Sequence, residues 1–255
     1  MKKIFILLYR LTSPILDARH ALNGLLNIYR YFGFIRRFMD YKKLDKASVI
    51  DLYPCLNDAT SVSQTGKGHY FYQDIWALSK VAKSSVSKHI DIGSRIDGFA
   101  GQCSAICEVE FLDFRPVDLG LDNFKMKQGS ILELPYEDNS ISSVSCLHVI
   151  EHIGLGRYGD PMDPSGSIKS AKELVRVLPN GGNLYIGVPI GRERVAFNAH
   201  RIFSPKTIKD FFSELKLVEF CAVNDEGYFV KNASFADFVS ADYSCGLFHF
   251  KKPDD

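Results

Sequence analysis

The chain predicts an α/β fold: a mostly parallel sheet of about seven strands, helices on both faces, and an N-terminal helical extension. Three observations carry this reading. Short apolar runs rich in Val, Ile and Phe alternate with helix-periodic segments from residue 72 onward. Several of those runs end in Gly, Asp or Pro turns. One segment between runs has both a start and a stop signal for a helix. Such alternation covers both faces of a parallel sheet.

Residues 1–46 read as helical. Ile15, Leu16, Leu22, Leu25, Leu26, Tyr29 and Phe32 recur at helical spacing, and Pro14 and Gly24 predict two shorter helices. They read either as helices packed on a core or as an interfacial amphipathic anchor. Residues 47–70 are mixed and turn-rich. Gln64 to His69 reads Q-T-G-K-G-H, which lacks phosphate-loop spacing and follows no strand. It predicts a loop over a substrate site, with His69, Tyr70 and Tyr72 in reach. The expected division is residues 1–70, a basic helical extension and lid, and 71–255, the α/β domain.

Residues 72–83 predict a helix with Ile75, Leu78, Ser79 and Ala82 on one face. Strands are expected at 89–93, 109–113, 124–128, 141–147 and 183–188, the second closed by Arg115-Pro116 and the fifth ending at Pro189. Before the fifth comes a helix. Asp163 can N-cap it, Pro164 suits its first position, and Pro179-Asn180-Gly181-Gly182 ends it. Its buried stripe is Ile168, Ala171, Leu174, Val175 and Leu178. A helix over 205–215 and strands at 217–223 and 247–251 complete the series.

At 255 residues the chain suits one sizeable domain with an attachment. The net charge of +1 hides an asymmetry: residues 1–46 hold ten basic and three acidic residues, +7, leaving −6 for the rest. A basic, apolar-rich start suits an anionic partner, so residues 1–46 could touch a membrane surface. Six cysteines form no C-x-x-C pair, which fits reduced thiols in a cytoplasmic protein. The apolar run Ile4–Tyr9 stops at Arg10, far short of the ~20 residues of a membrane span. Nucleic-acid binding is not expected, because the basic segment has no recognition motif and the body is acidic.

Ligands of such sheets bind at the C-terminal strand ends, near the switch point. Three features fall there. Asp91-Ile-Gly93-Ser94-Arg95 turns sharply after the first strand. Asp113, 20 residues after Gly93, has the spacing of an acid that holds ribose hydroxyls. The turn after the third strand can present Ser130 and Ile131 to an adenine, and His148, Glu151 and His152 follow the fourth.

From these residues the chain resembles the class I S-adenosylmethionine-dependent methyltransferases, whose sheet is Rossmann-like. The matches are D-I-G, D-F-R-P (including Phe114), L-P-Y-E-D-N-S-I-S-S-V, H-V-I-E-H-I and L-P-N-G-G-N-L-Y-I-G-V-P, over residues 85 to 225. The resemblance implies S-adenosylmethionine as cofactor, leaving as S-adenosylhomocysteine. It places cofactor contacts at Asp91, Gly93, Ser94, Arg95, Asp113, Phe114, Ser130, Ile131 and His148. There are departures: Arg95 stands where a second glycine is usual, Ser130 where an acid is usual, and the link after Asp113 is too short for the usual helix. More narrowly, H-V-I-E-H-I-G-L-G-R-Y-G-D-P with N-A-H-R-I-F is similar to a poorly characterised branch associated with bacterial surface-polysaccharide genes. That likeness implies O-methylation of a sugar hydroxyl, in a glycan or nucleotide-sugar for O-antigen or capsule, in the cytoplasm or at the inner membrane face.

A hydroxyl acceptor gains from a base, and histidine suits neutral pH. His148 and His152, one helical turn apart, would share a helix face, with His152 as base and His148 at the cofactor. His200 is a second candidate base, and Glu151 could orient a histidine. Residues 154–163 read as a glycine-rich connector or a lid, bringing Arg157, Tyr158 and Asp160 to substrate. Arg157 and Arg201 could hold a phosphate or carboxylate. No metal ligands are assigned. His152, Asp160 and Asp163 could hold a divalent ion, but their spacing is not diagnostic. Two other readings remain: a non-catalytic scaffold docking to membrane or a glycosyltransferase, and an NAD-linked oxidoreductase, which the missing G-x-G-x-x-G disfavours.

Overall fold

The computed structural model describes residues 21–44, 52, 54, 56, 66–115, 119–197 and 199–254. The chain divides into two compact units, Met1–Gln64 and Thr65–Asp255. In the first, helix α1 spans Ala21–Leu44 and runs through Gly24 without a break. A helix-interior glycine costs only ~1 kcal/mol, so Gly24 does not divide the helix as expected. Tyr29 and Phe32 are exposed. Pro14, Ile15, Leu16 and the run Ile4–Tyr9 lie outside the described residues, as do most of residues 45–65. No described helix is long and apolar enough to cross a membrane.

The second unit is built on an eight-stranded sheet. Helix α2, His69–Ser84, precedes β1, Lys88–Ile92. Then come β2, Glu108–Asp113, β3, Phe124–Gln128, and β4, Ser143–Leu147. Helix α3, Gly166–Val177, leads to β5, Asn183–Ile190. A small hairpin follows, β6 Arg194–Ala196 with β7 His200–Ile202. Helix α4, Pro205–Phe211, β8, Lys216–Val223, β9, Phe229–Val230, and β10, Ser244–Lys251, finish the chain.

The sheet order is β3-β2-β1-β4-β5-β10-β8-β9. The five strands from β3 to β5 run parallel, and β10 inserts antiparallel between β5 and β8. The chain passes outward from β1 to β3, then returns to the other side of β1 as β4. That reversal is the switch point, where a crevice opens beyond the strand ends.

Strand alternation fills two apolar layers. Ile90, Ile92, Ile186, Val188, Phe248 and Phe250 pack with Leu174 and Leu178 on one face. Val109, Phe111, Tyr185 and Leu247 pack with Trp76, Val81 and Phe99 on the other. Buried polar residues of β1 also face this second layer. Ser145 Oγ donates to Asp91, so His89 Nε2–H must donate to Ser145 and Nδ1 must accept from Ser143, each at 2.8 Å. Both buried groups are thereby satisfied.

Several elements differ from expectation for identifiable reasons. The buried face of α2 is Gln73, Trp76, Ala77 and Val81, and Ile75 is exposed. Helix α3 starts at Gly166, because the Asp163 carbonyl and carboxylate already accept from Gly166 and Ser165. Ile168 is exposed, and Ser167 and Ser170 take the buried face by donating to Ile150 and Gly166 carbonyls. Strand β5 passes Pro189, since β4 pairs only as far as Gly187. The Pro189 carbonyl accepts from Phe203, so the proline nitrogen, which has no N–H to give, also faces away from β10 and no ladder bond is lost. Helix α4 is shorter than expected, and the hairpin and β9 were not expected, being two or three residues per strand.

Buried histidines set a pH dependence. Burial pushes His89 down to about 3 and His249 to about 4 from an ordinary 6.5. Below pH 6.5 the unfolded chain binds protons that the folded chain refuses, so stability falls as pH drops. Asp91, pushed up to about 6 by burial, opposes this, since the folded carboxyl takes its proton first. Between pH 5 and 6 each histidine adds up to about 1.4 kcal/mol of stability per pH unit of rise. His249→Gln, keeping the 2.8 Å donation to Asn183, is expected to flatten that slope by one such step in urea titrations. An unaltered slope would contradict it.

Candidate functional site

A cavity of about 310 Å³ opens at the switch point, lined by Ile92, Gly93, Leu112 to Arg115, Gly129 to Leu132, His148, Val149, His152, Ile153 and Tyr158 to Pro161. Each strand end contributes for a local reason. Gly93 has φ +65° and its N–H donates to Leu112, turning the chain across the end of β2. A side chain there would be strained and would press on Val149 at 3.4 Å. Asp113 closes β2, and its Oδ1 accepts from Arg115 N–H at 2.7 Å. That bond orients the carboxylate and leaves Oδ2 for a ligand. After β3, Ser130 Oγ accepts from Leu132 N–H, shaping the turn that carries Ile131 into the wall.

Gly93, Asp113, Phe114, Ser130, Ile131 and His148 thus share one cavity. Asp91, Ser94 and Arg95 are not among its lining residues. Asp91 is fully buried and accepts from Ser94 N–H, Ser94 Oγ and Ser145 Oγ, so it braces the turn from beneath. Arg95 points outward. Its Nε and Nη2 donate to Asp97 at 3.0 and 2.6 Å, and its guanidinium lies 4.7 Å from the Tyr70 ring centre. It neither obstructs the cavity nor lines it. Arg95→Ala is therefore expected to change cofactor affinity by less than about threefold, as suits an exposed pair; a tenfold loss in calorimetry would show otherwise.

Residues 148–160 form turns rather than a helix. His148 has φ +57°, which breaks the run at the end of β4. His148 and His152 still reach the same cavity. His152 Nδ1–H donates to the Ala199 carbonyl at 2.6 Å, which leaves Nε2 with its lone pair free to accept. Glu151 Oε1 lies 3.7 Å from that Nε2 and 2.8 Å from His148 Nδ1. Glu151 is buried between the two imidazoles. Burial opposes charge on His148, but Cys245 and Glu151 outweigh it and hold the imidazole well above 6.5. His200 sits one ring away, 6.3 Å from His152, and burial lowers it.

Several other expected substrate groups are engaged elsewhere, while Arg157 stays exposed. Asp160 lines the cavity, but its carboxylate accepts from Gly154, Gly156 and Tyr158 N–H groups and ties the loop to itself. Asp163 pairs with Lys169 at 2.7 Å, so His152, Asp160 and Asp163 do not form a metal set. Arg201 is buried and donates to the carbonyls of Glu151, Ile153 and Asp163, so it braces the loop instead of reaching for an anion. Arg157 is exposed and donates to Ala199, beside the exposed ring of Tyr158. His69 and Tyr72 belong to α2, not to a loop, and neither lines the cavity. Tyr72 stacks on Phe229 at 5.6 Å. Sequence reasoning missed Tyr243 and Cys245, which reach His69 and His148 from the chain's end. Their only signal is a return strand whose register no local pattern reveals.

The chain matches a family profile described as Caenorhabditis protein of unknown function, DUF268, over residues 124–244. It is 33% identical over 100 residues to an uncharacterized protein of Methanocaldococcus jannaschii, 36% of this chain and 39% of that protein. The match thus spans well under half the archaeal protein's length. Among solved structures, a candidate sarcosine dimethylglycine methyltransferase of Galdieria sulphuraria has a TM-score of 0.54 and 18% identity, covering 72% of this chain and 86% of that one. The N-methyltransferase NodS of Bradyrhizobium japonicum WM9 gives 0.52 and 18%, covering 72% and 96%. A geranyl diphosphate methyltransferase in complex with SAM gives 0.52 and 13%, covering 71% and 84%. The fold is that of the class I methyltransferases. At these identities the likeness establishes architecture alone.

Proposed function

We propose that the chain is an S-adenosylmethionine-dependent methyltransferase acting on a hydroxyl of a small molecule. The observation that carries this reading is the placement of Asp113, Ser130 and Ile131 on the same cavity wall system as His152. An adenosine fits the first group: ribose hydroxyls on Asp113 and adenine over Ile131. The methyl group would then point toward the His148–His152 end. Methyl transfer is an in-line displacement that chiefly needs alignment. His152 Nε2 takes the acceptor proton as the oxygen attacks, and Glu151 stabilises the imidazolium formed. The supporting cofactor precedent is the neighbour solved with SAM, on the same architecture.

A glycan or nucleotide-sugar is the first acceptor class to screen, on the strength of the H-V-I-E-H-I-G-L-G-R-Y-G-D-P resemblance. Arg157, exposed beside the cavity loop, suits a phosphate-bearing acceptor. Residues 1–46, with their net +7, would act as a basic extension near an anionic surface.

Calorimetric titration with S-adenosylmethionine, S-adenosylhomocysteine and NAD tests the reading. Micromolar binding of both sulfur compounds and none of NAD is expected; the reverse order would replace it with a dinucleotide enzyme. With an acceptor found, His152→Ala should lower kcat by about 100-fold and leave cofactor affinity within threefold. Equal turnover would assign the base elsewhere, with His200 next.

A further inference from the structure

We propose that His69, His148 and Cys245 form a zinc site at the margin of the cavity. The three residues come from the start of α2, the end of β4 and the start of β10. One donor atom from each lies within 4.8 Å of the others. His148 Nε2 and Cys245 Sγ are 3.5 Å apart. With Zn–N of ~2.05 Å and Zn–S of ~2.3 Å, a tetrahedral ion needs about 3.6 Å between those two atoms.

The second layer of contacts is the stronger argument. A metal-bound imidazole characteristically gives its other N–H to a carboxylate or a carbonyl, which fixes the ring and its tautomer. Both histidines have such a partner. Glu151 Oε1 takes His148 Nδ1 at 2.8 Å, and the Tyr243 carbonyl takes His69 Nε2 at 3.1 Å. That leaves His148 Nε2, 3.5 Å from the thiol, and His69 Nδ1 as the nitrogens free to bind an ion. The two rings are parallel within 3°, their centres 5.6 Å apart.

The backbone is bent to make this aim. His148 is a non-glycine residue with φ +57°, and its N–H is anchored at 2.7 Å to the Gly187 carbonyl. Such a conformation costs on the order of 1 kcal/mol and persists where the surroundings impose it. Glu151 keeps one buried carboxylate oxygen, Oε2, without a hydrogen-bond partner among the described residues. A dication one residue away in this chain of contacts offsets that buried charge.

Donor chemistry selects the ion. Two imidazoles and one thiolate suit zinc and not magnesium or calcium, which take oxygen ligands. Three protein donors leave the fourth position to water or to a substrate heteroatom. His148 also lines the cavity, so that position is within reach of whatever occupies it. His148 then serves as a ligand, and the proton-accepting role stays with His152.

The test uses the full chain, stripped with chelator and titrated with Zn²⁺ and with Co²⁺ in the absence of any cofactor. One equivalent of zinc per chain is expected, with a rise in the thermal midpoint. Cobalt should show a near-ultraviolet thiolate-to-metal band that Cys245→Ser abolishes. His69→Gln, which alters a partly exposed side chain, should fold normally by circular dichroism, bind zinc at least 10-fold more weakly and lose most of the midpoint rise. Absence of stoichiometric zinc would overturn the site, as would a cobalt band or midpoint rise unaffected by both variants. None of these readouts involves S-adenosylmethionine, so a negative result leaves the methyltransferase reading to its own titration.

Discussion

Asp113→Ala is expected to weaken S-adenosylmethionine and S-adenosylhomocysteine binding by about 100-fold to 1000-fold. The carboxylate sits on the last residue of β2, opposite Gln128 of β3. Its Oδ1 is held by the Arg115 N–H, so its direction is set before any ligand arrives. Two hydroxyls of a ribose can donate to the carboxylate, and hydrogen bonds to a charged group are each worth ~1.5–3 kcal/mol. Asp113→Asn keeps the shape but loses charge, and should fall between the two. The mutation lies at an open strand end, so the unfolding midpoint should move little. Calorimetry on both variants decides it: affinity within threefold of wild type would remove Asp113 from the site and with it the cofactor reading.

Arg201→Ala is expected to destabilise the fold by about 3 kcal/mol, and Arg157→Ala by less than about 0.5 kcal/mol. The two arginines looked alike in the sequence, each placed to grip an anion. In the structure Arg201 is 8% exposed. Its Nη1 donates to the Ile153 carbonyl at 2.6 Å and to Ser167 Oγ at 3.2 Å, and its Nη2 to the Asp163 carbonyl at 3.4 Å. Its main-chain N–H adds a bond to the Glu151 carbonyl. Truncation strips a charged donor from several buried acceptors at once, and each orphaned group costs ~1–3 kcal/mol. These acceptors flank the loop that carries Tyr158 to Pro161 into the cavity, so cofactor binding should weaken as well. Urea unfolding of the two variants side by side is the measurement. Equal midpoints would return Arg201 to the role of an anion grip.

The contrast between the arginines shows what kind of information a sequence holds. Strand β3 has the expected bounds, Phe124–Gln128, because a five-residue run closed by Gly129 is a local signal. Helix α3 ends at Val177, just ahead of Pro179 to Gly182, for the same reason, and the Gly182 N–H donates to the Pro179 carbonyl. Helix α3 starts at Gly166, later than the Asp163-Pro164 signal predicts, because the Asp163 carboxylate and carbonyl accept from Ser165 and Gly166 in a turn ahead of it. Arg95 stands at a usual glycine position and was expected at the cofactor, yet a backbone turn carries it outward to Asp97 and Tyr70. Rotamer and direction, not residue type, decided its effect.

By itself the sequence determined the alternation of strands and helices, the turns at the strand ends, and the acid and glycines that stand there. Those features rest on periodicity and on the backbone preferences of single residues, which need no distant partner. Tertiary structure alone decided that β10 returns antiparallel between β5 and β8, and so that Cys245 meets His148 across 97 positions of chain. It also decided that Asp91 braces a turn, that Arg201 donates to loop carbonyls, and that His69 lies beside His148 and away from the cavity wall. Such outcomes depend on which surfaces the fold brings together and on burial forcing every polar group to find a partner, and neither is written in a local stretch of residues.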